Sequence, residues 1–297
     1  MSSRNGGAGA MRSLRTHVSR RDWLRAGLSA VVVPLLPGCL RSPSAPKAPS
    51  SVSPRLTARP GTPTASPTLG LSPLGLESGR DGLLYVPQGY TPDTPLPLFV
   101  AMHGYGGSAS FWSPFEARAE ARGFILLAID SRGTTWDVAQ GVFGDDVAFV
   151  DRALKHTFDC CRIDPAHIAL GGFSDGASYA LSLGLANGDL FTHLAGFSPP
   201  TLLLTSDPVG ASLIFISHGA SDTVVDLRVT RDAIVPYLRA HGYSVVYRVF
   251  QGGHDVPGAV ADTALDWFSG AAVCAPAEAD NCDIVDEPLQ SRSQEIA

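Results

Sequence analysis

This 297-residue chain has very little lysine, and its charges are unevenly distributed. Lysine occurs only at Lys47 and Lys155, and 28 acidic residues outnumber 22 basic ones, which gives a formal net charge of −6. Residues 1–75 contain ten of the basic residues but only one acidic residue. The rest of the chain is therefore strongly acidic, which argues against a nucleic-acid-binding protein.

Motifs for phosphate, dinucleotide and zinc binding are also missing. No glycine-rich loop is followed by the Lys-Ser/Thr pair of a P-loop, and no Gly-x-Gly-x-x-Gly opens a first βαβ unit. The five cysteines include no Cys-x-x-Cys pair, and no histidine completes a cluster with them. We therefore expect neither a cofactor nor a metal.

A Gly-Phe-Ser-Asp-Gly pentapeptide at residues 172–176 separates a predicted strand from a predicted helix. The apolar run before it is typical of a buried strand, and the small residues after it, 177–186, favour a helix. Glycine on both sides lets strand and helix pass closely, so the turn would hold Ser174 in a strained backbone with its hydroxyl exposed. Ser174 is therefore a candidate nucleophile for acyl transfer, with a helix N-cap as the alternative role.

The partners of such a serine follow in the order acid, then histidine. Asp222 comes soon after the apolar run 212–217, so its carboxylate can reach the active edge of a parallel sheet. A loop-capping role for Asp222, with Asp226 as the acid, is the alternative. His254 lies in a Gly-Gly loop between a predicted strand and helix, and no other histidine combines this order and context. Asp222 would orient His254, which would take the proton of Ser174.

A glycine-rich loop, residues 103–108, follows another apolar run. Glycines allow the N–H groups of a loop to turn toward a bound carbonyl. We expect the oxyanion of the reaction to be held by the N–H of Asp175, directly after the nucleophile, and by that of Tyr105.

Together these pieces resemble the phospholipase/carboxylesterase family of α/β hydrolases, from about Gly75 to Gly270. The resemblance implies a serine esterase, lysophospholipase or thioesterase without a cofactor. Relatives often have Gln after the nucleophile, whereas this chain has Asp175, whose carboxylate is expected to disfavour anionic substrates. The motifs that carry the resemblance are residues 103–108, 168–177, 218–225 and 252–254.

Alternating strands and helices predict a mostly parallel central sheet covered by helices on both faces. The connection 198–211 is too short for a helical cap, so we expect no large lid and a shallow pocket. Strands are predicted at residues 82–86, 98–102, 124–129, 168–173, 194–197, 213–217 and 244–250, and helices near 113–122, 145–157, 176–186, 228–241 and 260–268.

Aromatic residues near the predicted active edge are candidates for the substrate pocket. Trp136 lies in the loop 130–144, which follows a strand, and Phe111 and Trp112 come just after the oxyanion loop. Each is expected either to form an apolar wall of the pocket or to pack beneath its loop.

The N-terminus has the features of an export signal, predicted over residues 1–39. Arg20 and Arg21 precede an apolar stretch, 26–36, that is too short to span a bilayer, which predicts twin-arginine export. The stretch ends in Leu-Pro-Gly-Cys, which resembles a bacterial lipobox and implies a membrane lipid anchor on Cys39. A plain signal peptide that is cleaved further on is the alternative.

The remaining chain divides into three predicted parts. Residues 40–75 are rich in Pro, Ser and Thr and have no acidic residue, so we expect a disordered, extended spacer. Residues 76–270 form the catalytic domain, and 271–297 an acidic tail. In an oxidising compartment Cys274 and Cys282 can form a disulfide, although pairing with Cys160 or Cys161 is also open.

The sequence thus predicts a hydrolase that cleaves small carboxylic esters by a Ser174–Asp222–His254 triad. Short acyl or lysophospholipid-like esters are the expected substrates. Feruloyl esterase, polyester depolymerase and thioesterase activities remain open, as does a surface-anchored binding protein with the same fold and no turnover. The oligomeric state is not indicated.

Overall fold

The computed structural model describes residues 52–274 and 281–286. The predicted leader, with Arg20, Arg21 and Cys39, lies outside the described residues. Within the two described ranges, no helix is both long and apolar enough to cross a membrane.

A nine-stranded sheet with the order β1-β2-β4-β3-β5-β6-β7-β8-β9 forms the centre of the described chain. The seven strands from β4 to β9 in this order are parallel, whereas β2 pairs antiparallel with both β1 and β4. The strands are β1 (Gly70–Pro73), β2 (Gly82–Val86), β3 (Leu96–Met102), β4 (Ile125–Ile129), β5 (Ile163–Phe173), β6 (His193–Phe197), β7 (Leu213–Gly219), β8 (Val245–Phe250) and β9 (Asn281–Val285).

Helices cover both faces of the sheet, because its strands are apolar on both sides. In β3, Leu98, Val100 and Met102 join one hydrophobic cluster, whereas Phe99 and Ala101 join the other. The first cluster includes residues of α2, α3 and α4, and the second includes residues of α1 and α5. The helices are α1 (Glu116–Arg122), α2 (Asp145–Cys160), α3 (Asp175–Ala186), α4 (Val235–Ala240) and α5 (Gly258–Phe268), with 3-10 turns at Ala109–Phe115 and Asp137–Gln140 and a π-type turn at Val229–Ile234.

Every strand predicted from the pattern is present, and the bounds differ most at β5, which begins five residues early at Ile163. The predicted helix 228–241 is divided into a π-type turn and α4. This architecture is the α/β-hydrolase fold. The connection between β6 and β7 contains no helix, so no cap domain covers the sheet there.

The prediction of a disordered spacer over residues 40–75 is wrong for residues 52–75. Leu56 is 3% exposed and belongs to the core, and its N–H donates to Oδ1 of Asn187 at 2.8 Å. Arg55 forms a bidentate ion pair with Asp189, with both N···O distances 2.9 Å. The composition argument fails because this segment needs no core of its own: side chains of the hydrolase domain bind its backbone and cover its leucine.

The predicted tail 271–297 is likewise partly built into the fold. Residues 281–285 form β9, which pairs with β8 in parallel at the edge of the sheet. Cys282 in this strand is 3% exposed and is bonded to Cys274. Cys160 and Cys161 are buried free thiols. The sequence analysis missed this strand because the tail is acidic, and an edge strand needs few apolar residues.

Candidate active site

Ser174 occupies a tight turn between β5 and α3, with φ 55° and ψ −122°. Positive φ strains a residue that has a side chain, and here the neighbouring glycines make the turn possible. A Cβ on Gly172 would lie 2.2 Å from the carbonyl oxygen of Gly176, and one on Gly176 would lie 2.3 Å from that of Met102. The N–H of Ser174 donates to the carbonyl of Phe197 at 2.8 Å, which ties the turn to β6.

His254 lies between the other two members of the predicted triad. Its Nε2 is 2.9 Å from Oγ of Ser174, and its Nδ1 is 2.7 Å from Oδ2 of Asp222. A carboxylate only accepts, so Nδ1 carries the proton and Nε2 is left to accept from the serine hydroxyl. The side chain of Asp222 is fully buried, and that of His254 is 14% exposed. The three residues come from loops after β5, β7 and β8, whose carboxyl ends meet at one edge of the sheet.

The carboxylate of Asp222 uses its two oxygens differently. Oδ1 accepts hydrogen bonds from the N–H groups of Val224 and Val225 at 2.8 and 2.9 Å, while Oδ2 faces His254. Burial alone would raise the pKa of Asp222, but the bonds from Val225, His254 and Val224 outweigh it and leave the pKa below its usual value. Asp222 therefore remains ionised, and it both caps its own loop and orients the histidine.

Asp226, the alternative acid, points elsewhere. Its carboxylate binds the guanidinium of Arg228 on the surface, with a shortest distance of 2.5 Å. The alternative assignment of the acid therefore has no support in this geometry.

The two predicted oxyanion donors lie on either side of the nucleophile. Asp175 follows Ser174 directly, and a Cβ on Gly104 would lie 3.3 Å from Cβ of Ser174, which brings the loop of Tyr105 against the site. Among the described residues, no protein acceptor takes the backbone N–H of Tyr105 or Asp175. Both are therefore available to a ligand. The Asp175 carboxylate accepts from the hydroxyl of Thr135 at 2.6 Å.

A buried histidine and an arginine hold the oxyanion loop in place. Nε2 of His103 accepts from Nη2 of Arg80 at 2.8 Å and from the N–H of Ser131 at 3.1 Å, so Nδ1 carries the proton and donates to the carbonyl of Gly104 at 2.6 Å. Burial and the Arg80 guanidinium lower the pKa of His103, which keeps the ring neutral. Arg80 also donates to the carbonyl of Gly107 at 2.9 Å. The sequence carried no signal for Arg80, which lies 23 positions before its partner.

Two of the three predicted pocket residues are buried beneath their loops. Trp136 is completely buried, stacks on Tyr179 with ring centroids 4.9 Å apart, and donates from Nε1 to the carbonyl of His103 at 2.8 Å. Trp112 is 1% exposed and packs edge-on against Phe115. Each indole is large and mostly apolar, so it packs in the core beneath its loop. The pocket assignments of Trp136 and Trp112 are therefore wrong.

Phe111, the third predicted pocket residue, stands beside the triad. It is 39% exposed and stacks on Phe173, with ring centroids 5.2 Å apart and planes within 6°. The ring of Phe173 in turn lies 4.7 Å from the ring of His254. The two phenylalanines form an aromatic plate next to the catalytic histidine, with Phe111 facing solvent.

Comparisons with known proteins show what this chain is similar to. Residues 145–266, which include the three triad residues, match the Phospholipase/Carboxylesterase family. Feruloyl esterase C of Emericella nidulans is 28% identical over 160 residues, covering 50% of this chain and 57% of the relative. Feruloyl esterase B of Piromyces equi is 27% identical over 166 residues, 53% of this chain and 30% of the relative. The chain thus spans about half the length, or less, of these relatives.

Solved structures support the fold. A fluorophosphonate-binding serine hydrolase of Staphylococcus aureus superposes with a TM-score of 0.54 at 12% identity, covering 67% of this chain and 98% of the other. An acetyl xylan esterase from Aspergillus awamori gives a TM-score of 0.54 at 17% identity, covering 68% and 100%. The shared architecture shows the α/β-hydrolase fold, and residues 145–266 are similar to the Phospholipase/Carboxylesterase family.

Proposed function

We propose that this protein is a serine esterase that hydrolyses carboxylic esters through an acyl-enzyme. One observation carries the proposal: Ser174, His254 and Asp222 form a continuous hydrogen-bonded line with distances of 2.9 and 2.7 Å. Activity of a serine hydroxyl requires an adjacent base that is itself oriented by a third group, and this line supplies both.

The reaction follows from the protonation states of the site. Oγ of Ser174 attacks the ester carbonyl carbon as its proton passes to Nε2 of His254, and the imidazolium is stabilised by ionised Asp222. His254 then gives this proton to the departing alcohol, which leaves an acyl group on Ser174. Water, deprotonated by the same histidine, attacks the acyl carbonyl; the acyl–Oγ bond breaks, His254 returns the proton to Oγ of Ser174, and the carboxylic acid is released.

The negative oxygen formed in both steps needs donors that are already in place. The N–H groups of Tyr105 and Asp175 fill this role in the proposal, because both lie beside Ser174 with no protein acceptor among the described residues. Loss of one such donor typically costs about 3 to 4 kcal/mol of transition-state stabilisation.

Short acyl or lysophospholipid-like esters are the first proposed substrate class. The connection 198–212 carries no lid helix, and Tyr105 and Phe111 beside the site are 72% and 39% exposed. An open site of this kind admits an ester without a closing step. Esters of aromatic acids, as in feruloyl esterases, are a second candidate, which is favoured by the names of the similar relatives.

A panel of nitrophenyl esters of increasing acyl length tests the proposal. We expect hydrolysis by the wild type, loss of at least about a thousandfold in kcat for Ser174→Ala, and no change for the matched control Ser221→Ala, whose serine is exposed. A fluorophosphonate probe should label Ser174 alone. A folded wild type that neither reacts with the probe nor hydrolyses any ester would instead support the non-enzymatic binding protein.

We also propose that the protein is exported by the twin-arginine route and anchored by lipid at Cys39. The paired Arg20 and Arg21, the short apolar stretch and the lipobox-like end support this proposal. Changing both arginines to lysine should trap the precursor in the cytoplasm, and Cys39→Ala should release exported protein from the membrane. Undiminished export of the double-lysine variant would refute the route.

A further inference from the structure

A second buried histidine contacts the catalytic acid. His218, at the end of β7, is fully buried, and its Nε2 lies 3.3 Å from Oδ2 of Asp222 and 3.0 Å from the carbonyl oxygen of Val225. Carboxylate and carbonyl oxygens only accept hydrogen bonds. Nε2 of His218 therefore carries a proton, which it donates to the Val225 carbonyl, while Oδ2 of Asp222 lies 3.3 Å from the same nitrogen.

The other ring nitrogen is connected to two hydroxyl groups. Nδ1 of His218 lies 3.0 Å from Oγ1 of Thr230, which lies 2.9 Å from the hydroxyl of Tyr247. In a neutral ring with its proton on Nε2, Nδ1 accepts from Thr230, and Thr230 in turn accepts from Tyr247. The Thr230 proton is shared with the carbonyl of Leu227, which lies 3.0 Å away.

The charge state of His218 agrees with this assignment. Burial lowers the pKa of His218 more than the Val225 carbonyl and the Asp222 carboxylate raise it, so the ring is neutral at neutral pH. The titratable groups that face it are Asp222 and Asp226 in the following loop, His254 in the triad, and Tyr247 on β8 through Thr230.

We propose that His218 positions the catalytic acid: its Nε2–H holds the carbonyl of Val225, whose own N–H binds Oδ1 of Asp222. From 3.3 Å the same N–H limits how strongly Oδ2 of Asp222 holds the proton of His254, and Thr230 and Tyr247 support the ring at Nδ1 to complete this relay. The proposal rests on the esterase function proposed above. His218 is a positioning residue in it, since it reaches the reacting atoms only through Asp222 and His254.

The direction of the effect follows from the shared oxygen. Oδ2 of Asp222 binds Nδ1 of His254 and lies 3.3 Å from Nε2 of His218, so the nearby N–H donor of His218 partly offsets the negative charge that stabilises the imidazolium. Without that donor the imidazolium is more stable, and catalysis needs a higher pH to free Nε2. Removal of His218 should therefore move the acidic limb of the kcat/KM–pH profile upward.

The test compares His218→Leu, which removes the donor, with His218→Gln, whose amide can reach the Nε2 position. We expect His218→Leu to lower kcat about tenfold, to leave KM within about twofold, and to raise the midpoint of the acidic limb by about half a pH unit. His218→Gln should recover most of kcat and the wild-type midpoint. An unmoved midpoint for His218→Leu, or no recovery in His218→Gln, would overturn the proposal.

His193 offers a matched control at the opposite end of the sheet. It is 7% exposed, and its Nδ1 lies 2.8 Å from Oγ1 of Thr192, but it is at the beginning of β6 and contacts none of the triad residues. His193→Leu should leave the kcat/KM–pH profile unchanged even if it destabilises the fold. An equal pH shift in both leucine variants would identify a general effect of core disruption and contradict the relay.

Milder variants and a spectroscopic readout cover the case in which His218→Leu does not fold. Thr230→Val is expected to lower kcat about threefold and Tyr247→Phe by less, because each removes a hydroxyl from the relay without a change of volume. In ¹⁵N-histidine NMR spectra of the wild type, His218 should be the neutral Nε2–H tautomer, because Nε2 faces the Val225 carbonyl. An Nδ1–H tautomer in the wild type would overturn the relay. This NMR result is independent of turnover, so it stands apart from a wild type that cleaves no ester and refutes the proposed function.

Discussion

Nε2 of His254 lies 2.9 Å from Oγ of Ser174, across 80 positions of sequence. Both residues are held in place. The turn between β5 and α3 fixes Ser174, and the imidazole of His254 is bonded to Asp222 and packed against Phe173. The contact is therefore already formed in the free protein, and substrate binding does not have to assemble it.

Asp222→Asn should lower kcat by roughly a thousandfold or more with little change in KM. An amide in place of the carboxylate leaves His254 without its orienting acceptor and favours the wrong tautomer. Asp226→Asn is the matched control, because this exposed carboxylate pairs only with Arg228 and should cost less than about twofold. Steady-state kinetics on one nitrophenyl ester decide between them, and a larger loss in Asp226→Asn would reassign the acid.

Arg80→Met should reduce kcat about tenfold while KM changes little. The guanidinium binds Nε2 of His103 and the carbonyl of Gly107, and its loss leaves both without that donor and loosens the oxyanion loop. Arg122→Met is the control, since its guanidinium pairs with Asp262 and Asp266 of α5. Equal kinetics of the two variants would show that Arg80 does not support the oxyanion hole.

Phe111→Ala should selectively lower kcat/KM for esters whose alcohol is flat and aromatic. His254 returns the proton to the departing alcohol, so the aromatic plate beside it lies on the alcohol side of the site. Benzyl acetate and cyclohexylmethyl acetate have alcohols of similar reactivity but different shape. We expect kcat/KM to fall about fivefold for the benzyl ester only, in line with the value of an aromatic pair. Leu71→Ala, an exposed leucine in β1, is the control, and a uniform loss on both esters would argue against the plate.

Leu56→Ala should destabilise the fold by about 2 to 4 kcal/mol, because the leucine is buried in the core. Leu69→Ala, in the same N-terminal segment but 43% exposed, should change the free energy of unfolding by less than about 0.5 kcal/mol. Urea unfolding of both variants measures this. If both variants change the free energy of unfolding by the same small amount, residues 52–75 are a spacer that does not pack on the hydrolase domain.

His193 should make the protein less stable in acid. Burial, followed by repulsion from His167, lowers the pKa of His193 to about 4, whereas an unfolded histidine titrates near about 6.5. Between these values the unfolded chain binds the proton and the folded chain does not, so stability falls as pH drops from 6.5 to 4, by about 3 kcal/mol in total. In His193→Leu this part of the loss should disappear. The measurement is the difference in unfolding free energy between pH 7 and pH 4, and an unchanged difference would contradict the assignment.

Some features were readable from the sequence because they depend on residues close together in the chain. The glycines around Ser174 are needed by a single turn, and the apolar strands preceding Asp222 and His254 are local patterns. Parallel strands bring their carboxyl ends to one edge, so the order of the three motifs was enough to predict the fold and to nominate Ser174, Asp222 and His254.

Other features depended on contacts between distant segments, which composition does not encode. Whether Trp136 and Trp112 face substrate or the core is decided by what packs against their loops. The segment around Leu56 gains order from Asp151, Asn187 and Asp189 of the hydrolase domain. Arg80 and His218 acquire roles only through buried partners distant from them in sequence or in the following loop. The sequence by itself therefore determined the fold class and the order of the candidate catalytic residues, whereas the tertiary structure decided which polar groups support them, because buried hydrogen-bond partners are selected by proximity in space and not along the chain.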